Sequence, residues 1–141
     1  MSDAAEAKPA WQGLWGSDAS GAYLVAGRCQ KCGGYALGVR EFCPHCSAQN
    51  TLQEDRIGRT GRLYSATVIH QGSSGFKAPY RVGYVDVEGG VRIFAHIENG
   101  SAGPKIDDAV ELTIDARMTD REGHPMTVPV YSAVQRGGRV R

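Results

Sequence analysis

The sequence predicts a mainly β chain: a small cysteine-held ribbon near the N-terminus, followed by one five-stranded antiparallel barrel. Three observations predict it. The only four cysteines among the 141 residues stand in two C-x-x-C pairs. Past residue 58, apolar and polar residues alternate with period two in successive runs bounded by glycine, proline and charged residues. No run of ten residues carries a convincing helical period.

The expected organisation is an arm with a short helix over residues 1–27, the ribbon over 28–50, the barrel over 51–134 and a basic flexible tail over 135–141. In the arm, Trp11, Leu14 and Trp15 recur at i, i+3 and i+4, the spacing of one helix face. Both tryptophans of the chain lie here. They either cap a small local core or anchor a partner, because tryptophan is enriched at the energetic centres of interfaces.

The ribbon is the sharpest signal. Cys29-Gln30-Lys31-Cys32 and Cys43-Pro44-His45-Cys46 are two knuckles, ten residues apart. Each turns two thiolates toward one point, and together they complete a tetrahedral sulfur shell with no position left for water or substrate. Such a closed site supports a fold and does no chemistry. Residues 35–40 can run as a short strand between the knuckles. Two disulfides are the competing reading of four cysteines. The small, polar opening segment from Met1 to Pro9 has no apolar signal core, so a reducing cytoplasm and a bound metal are expected instead. Zinc suits a structural shell; iron in the same four-sulfur set is the lesser alternative. His45 falls inside the second knuckle and is expected to be exposed, since four thiolates already fill the shell.

Thr51 to Gly58 is polar and reads as a connector. The barrel strands then follow in order. Gly61 to His70 is rich in β-branched residues. Arg81 to Glu88 carries Val82, Tyr84, Val85 and Val87, and Gly89-Gly90 marks a two-residue hairpin turn. Val91, Ile93, Ala95 and Ile97 alternate with polar or exposed partners on the return strand, as do Val110, Leu112, Ile114 and Ala116 on the next. A last run spans Met126 to Tyr131. The long connection from Asn99 to Asp108 falls between the third and fourth strands, where an OB-type barrel has its cross-over.

Charge and motifs exclude more than they assign. Sixteen basic and fifteen acidic side chains give a formal net charge of +1, so no strong field gathers DNA or a membrane surface. No run approaches the ~18 apolar residues of a spanning helix. Nucleophile-elbow, zincin and phosphate-loop motifs are missing. A cysteine nucleophile would need a thiol outside the knuckles. His70, His96 and His124 are scattered, and Asp86 with Glu88 reads as a solvated pair at a hairpin end. No catalytic residue is assigned. One loop invites a ligand: residues 71–80 combine glycines, hydroxyls and one lysine with two aromatics, so that Lys77 can meet a phosphate and Phe76 or Tyr80 can stack on a base. The same loop can be a flexible connector whose aromatics fold back on the barrel mouth.

The order of a C-x-x-C…C-P-x-C ribbon, then Gly61-Arg62-Leu63-Tyr64-Ser65-Ala66-Thr67-Val68-Ile69-His70, then Phe76-Lys77-Ala78-Pro79-Tyr80, resembles the DUF35 family. The hairpin Val87 to Ile93 fits the same pattern, and the resemblance covers about Tyr23 to Tyr131. Ser47 departs from it, standing where a glycine commonly follows the fourth cysteine; so does the short helical region before the ribbon. The resemblance implies a rubredoxin-like zinc ribbon fused to an OB-fold. It further implies an accessory subunit of an acyl-CoA-processing complex, most often with a thiolase-like enzyme, alternatively with an acyl-CoA hydratase. Cys29, Cys32, Cys43 and Cys46 would hold the metal, Phe76, Lys77 and Tyr80 would meet the CoA, and Trp11 and Trp15 would meet the partner. The rival function is nucleic-acid binding through Arg59, Arg62, Arg81 and Arg92 with Tyr64, Tyr84 and Phe94. Asp86, Glu88, Glu98 and Asp115 on the same strands, and the near-zero net charge, weigh against it.

Overall fold

In the computed structural model, described for residues 8–9, 13–71, 79–99 and 103–134, two β-sheets share one core. Strand β1 is Lys8–Pro9, and β2 (Trp15–Asp18) pairs antiparallel with β3 (Gly21–Cys29). Strands β4 (Tyr35–Leu37) and β5 (Leu52–Ile57) pair with β3 from either side to complete a four-stranded sheet. This small sheet therefore draws in residues on both sides of the cysteine segment.

Two expectations are corrected here. The helix expected around Trp11, Leu14 and Trp15 does not form across Trp15, which opens strand β2; Trp11 lies outside the described residues. Three apolar residues at helical spacing are too few to nucleate a helix over Gly16, Ser17 and Asp18. Asp18 instead turns the chain, its carboxylate accepting the Ser20 N–H at 2.9 Å, and β3 supplies a ladder partner. The connector expected over 51–58 is largely strand β5: its polar side chains face out from the sheet edge while Ile57 is buried.

The barrel is built from β6 (Thr60–Ile69), β7 (Tyr80–Val87), β8 (Val91–Ile97), β9 (Ala109–Thr119) and β10 (Pro125–Ala133). β6 pairs with β7, β7 with β8, and β9 with both β6 and β10, all antiparallel. β10 lies parallel to β8, with Val130 opposite His96, and this pairing closes the ring. A closed five-stranded barrel whose third and fifth strands run parallel is the OB topology. β1 adds to the outside of β10. The β7–β8 turn spends three residues, Glu88–Gly90, rather than two, with Gly89 and Gly90 both at positive φ.

Closure demands a sharp bend in β6, which pairs with β9 at one end and β7 at the other. A bulge between Leu63 and Ser65 supplies it. Gly83, opposite Ala66 just past the bulge, lets β7 approach closely: a Cβ there would lie 2.1 Å from the Ser65 carbonyl oxygen. Leu63, Val85, Val110 and Ile97 fill the barrel, and the same cluster continues through Leu24, Ala26 and Ile57 of the small sheet. Truncating one such buried leucine typically costs about 2–5 kcal/mol. Ribbon and barrel therefore fold onto each other rather than side by side.

Candidate metal centre and adjoining clefts

The end of β3 delivers Cys29, and the turn to β4 delivers Cys32; the loop between β4 and β5 supplies Cys43 and Cys46. The two knuckles repeat one geometry. Gly33 N–H donates to the Cys29 carbonyl and Ser47 N–H to the Cys43 carbonyl, both at 2.9 Å. The residue after each pair takes positive φ, 77° at Gly33 and 67° at Ser47. The departure from glycine at Ser47 thus leaves the knuckle's shape intact.

The four sulfurs lie within 4.8 Å of one another, Cys29 to Cys46 at 3.6 Å and Cys32 to Cys43 at 3.7 Å. A tetrahedron with metal–sulfur bonds of about 2.3 Å has edges of about 3.8 Å, so the donor set can hold a metal ion of zinc's size. The surrounding groups orient it. Lys31 and Cys32 N–H point at the Cys29 sulfur, His45 N–H at Cys43 and Gly34 N–H at Cys32, all between 3.3 and 3.4 Å. The Thr51 hydroxyl sits 3.2 Å from the Cys29 sulfur. This bond, with the Cys32 N–H, pulls the Cys29 thiol down to about 5. The Cys46 N–H lowers Cys43 likewise. At Cys32 the Gly34 N–H also pulls downward, but burial and the neighbouring sulfurs outweigh it and push the thiol up to about 11. Ionised together, four thiolates this close would repel one another unless a cation lay between them. His45 is exposed, and its Nε2 donates to the Tyr35 carbonyl at 2.7 Å, which occupies that nitrogen away from the sulfurs. Thr51 was hidden in the sequence, read only as the start of a connector.

Asp86 and Glu88 do not form a carboxylate pair. Asp86 binds Arg92 at 2.6 Å, and Glu88 accepts the Gly58 N–H at 3.1 Å. Of the cations weighed for nucleic acid, Arg59 is clamped on Asp18, and Arg81 donates to the Pro104 carbonyl at 2.7 Å.

Of the residues read as ligand- or partner-facing, Phe76, Lys77 and Trp11 lie outside the described residues. Trp15 is half-buried against the common core. Tyr80 opens β7 and stacks on His96, ring centroids 5.4 Å apart. These two rings form the shared wall of two clefts. The first, about 650 Å³, has a mixed lining that includes Arg81, Glu98, Arg117 and Met118. Arg117 is held by Glu98 at 2.6 Å and Asp115 at 2.8 Å. Burial, with Arg117 nearby, keeps the His96 imidazole below its ordinary range and so neutral. The second cleft, about 390 Å³, is almost wholly apolar and runs between Leu14, Trp15 and Leu37 of the small sheet and Ile69, Val82 and Phe94 of the barrel. Neither cleft was legible in the sequence, because strands far apart in the chain build both. Among the described residues no helix is long and apolar enough to cross a membrane.

Known proteins point the same way. Residues 54–115 match the family described as ChsH2, C-terminal OB-fold domain. The chain is 34% identical over 110 residues to the benzoylsuccinyl-CoA thiolase subunit BbsA of Thauera aromatica, covering 78% of this chain and 76% of that protein. It is 33% identical over 101 residues to a DUF35 domain-containing scaffold protein of Methanothermobacter thermautotrophicus, covering 70% and 72%. Among solved structures it resembles a chain of the Ltp2-ChsH2(DUF35) aldolase, with a TM-score of 0.60 and 27% identity over 77% of this chain and 83% of that one. With the cysteine ribbon, the closed OB barrel and these relatives taken together, the chain belongs to the DUF35 family.

Proposed function

We propose that this chain is a non-catalytic accessory subunit of a thiolase-type complex in the cytoplasm, stabilised by structural zinc and helping its partner to bind or select an acyl-CoA. One observation carries the reading: every cysteine of the chain belongs to one sulfur cluster, in a chain that is 34% identical over 110 residues to a thiolase subunit. A thiolase reaction needs a free nucleophilic thiol, which the partner would supply. The acyl-CoA reading is supported by the two clefts that meet at Tyr80 and His96, one of mixed lining that carries Arg81 and Arg117, the other almost wholly apolar. An acyl-CoA has the same division between a charged nucleotide end and an apolar acyl end. Tyr80 was the residue at this place that the sequence suggested for CoA.

The test is a pull-down from the native host, with the tagged chain as bait and mass spectrometry of what co-purifies in stoichiometric amount. A thiolase-type chain supports the reading. A hydratase would replace the partner, and recovery of nucleic acid alone would replace the function. Titration of the purified complex with CoA, against an Arg117→Ala variant, then tests the cleft that Arg117 lines: unchanged affinity would remove it from CoA binding.

A further inference from the structure

We propose that the outer face of β6–β8 bearing Tyr64, Tyr84 and Phe94 is the docking surface for the catalytic, thiolase-type subunit. The inference rests on the accessory-subunit reading and goes beyond it by naming the face. The three rings are 51%, 45% and 59% exposed, although each stands on a strand of a closed barrel with a full core behind it. Tyr84 lies opposite Phe94 across the β7–β8 ladder, with ring centroids 5.2 Å apart, and opposite Ser65 on β6. The bulge in β6 turns Tyr64 outward, where the Arg92 guanidinium covers its ring 3.5 Å from the centroid. Asp86 binds that guanidinium in turn through two contacts, 2.6 and 3.2 Å. The result is a ladder of rigid rings beside an ion pair that is neutral within itself. That is the composition of an interface centre, aromatic and arginine-rich but without a large uncompensated charge.

Two alternatives fit less well. A phosphodiester strand would also stack on the rings, but Arg92, the cation nearest to them, already has a carboxylate partner. A second copy of the chain, packed about a two-fold axis, would offer this face only its own self-neutralised ion pair, with no charge complementarity to favour it. The patch is also small for self-association. Three half-exposed rings offer roughly 300 Å², hence roughly 600 Å² in a symmetric contact, against about 1,200 Å² for a stable specific interface. A different, larger subunit can use the ladder as a centre and extend beyond it. Its direction of extension is set by Phe94, which both belongs to the ladder and lines the apolar cleft. A subunit seated on the rings therefore reaches the mouth of that cleft, where a shared ligand would lie.

The experiment is hydroxyl-radical footprinting of the intact chain, free and in complex with the thiolase-type chain recovered in the pull-down, read by mass spectrometry. Tyr64, Tyr84 and Phe94 are expected to lose most of their reactivity in the complex, while Phe42, exposed on the ribbon, keeps its own. A Phe94→Asp variant should bind the partner at least tenfold more weakly at unchanged melting temperature and metal content. If the complex forms and the rings stay as reactive as in the free chain, the docking face is refuted and the accessory role survives. If no thiolase-type chain binds, both fall together. Protection of the rings by a single-stranded oligothymidylate, or in a dimer of the chain alone, assigns the face to that occupant and overturns the proposal.

Discussion

The Tyr131 hydroxyl, on the last barrel strand, donates a 2.6 Å hydrogen bond to the carbonyl of Gly58, at the joint where the ribbon's last strand becomes the barrel's first. Tyr131 is wholly buried, and burial holds its phenol well above the ordinary tyrosine range, so it remains a donor. Removing the donor with Tyr131→Phe leaves a buried carbonyl without this partner and should cost about 1–3 kcal/mol. Gly58→Ala should also destabilise. Its Cβ would fall 2.8 Å from Leu24 Cδ1 and 3.0 Å from the Tyr131 oxygen, at a φ of +80°. Urea denaturation of the two variants checks this; midpoints equal to wild type would mean that the joint carries no stability.

Metal removal should weaken the whole molecule and not the ribbon alone. Leu24, Ala26 and Ile57 of the small sheet belong to the same buried cluster as Leu63, Val85 and Tyr131 of the barrel. Scanning calorimetry should therefore show one transition, shifted down as a unit by a strong chelator or by Cys43→Ser. Elemental analysis of the untreated protein should return one zinc per chain. Two separate transitions, with the barrel's unmoved, would contradict the shared core.

Ser47→Gly should stabilise. A side chain in the left-handed region costs about 1–2 kcal/mol. Glycine relieves that strain but gives back about 0.5–1 kcal/mol in unfolded-state freedom. A net gain of about 0.5–1 kcal/mol is expected at φ 67°. Ser47→Val should move the other way, because a β-branched side chain tolerates that region least. Denaturation of the metal-loaded variants gives both values.

Asp18 sets an acid limit. The Arg59 guanidinium, helped by the Ser20 N–H and Arg56, holds its carboxyl well below the usual carboxylate range. A folded value below the unfolded one means that the stabilisation is complete above about pH 4. It is lost as the pH falls toward the folded value. Asp18→Asn should thus be less stable than wild type at pH 7, and the gap should narrow progressively below about pH 4. A gap that stays constant down to pH 2 would mean that the pair with Arg59 and Arg56 contributes nothing through ionisation.

Much of this was legible in the chain. Period-two alternation located the barrel strands because one face of each meets a core and the other meets water, and that requirement writes itself residue by residue. The knuckles were legible because four sulfurs around one cation allow little freedom in spacing. Strand β5 was not, because an edge strand needs only Ile57 and Leu52 to turn inward and can be polar elsewhere. Nor was the β2–β3 hairpin, since the spacing of Leu14 and Trp15 serves a helix face or a strand end equally and only the pairing with β3 decides. Tyr131 read as the end of a short strand. Its role depends on Gly58, 73 positions earlier, and no local pattern encodes that distance.

The parallel contact between β10 and β8 has a temporal consequence. β10 is the last of the described strands, and it joins β8 to β9, the one gap that the preceding barrel strands leave open. Until residues 125–133 have emerged from the ribosome the barrel is an open sheet with two bare edges, and Gly58 lacks its phenol. The cysteines emerge some eighty residues earlier, on knuckles built by local turns alone. The nascent chain thus carries its cysteine knuckles beside an unfinished barrel for most of its synthesis, and its exposure to aggregation is set by how quickly β10 arrives.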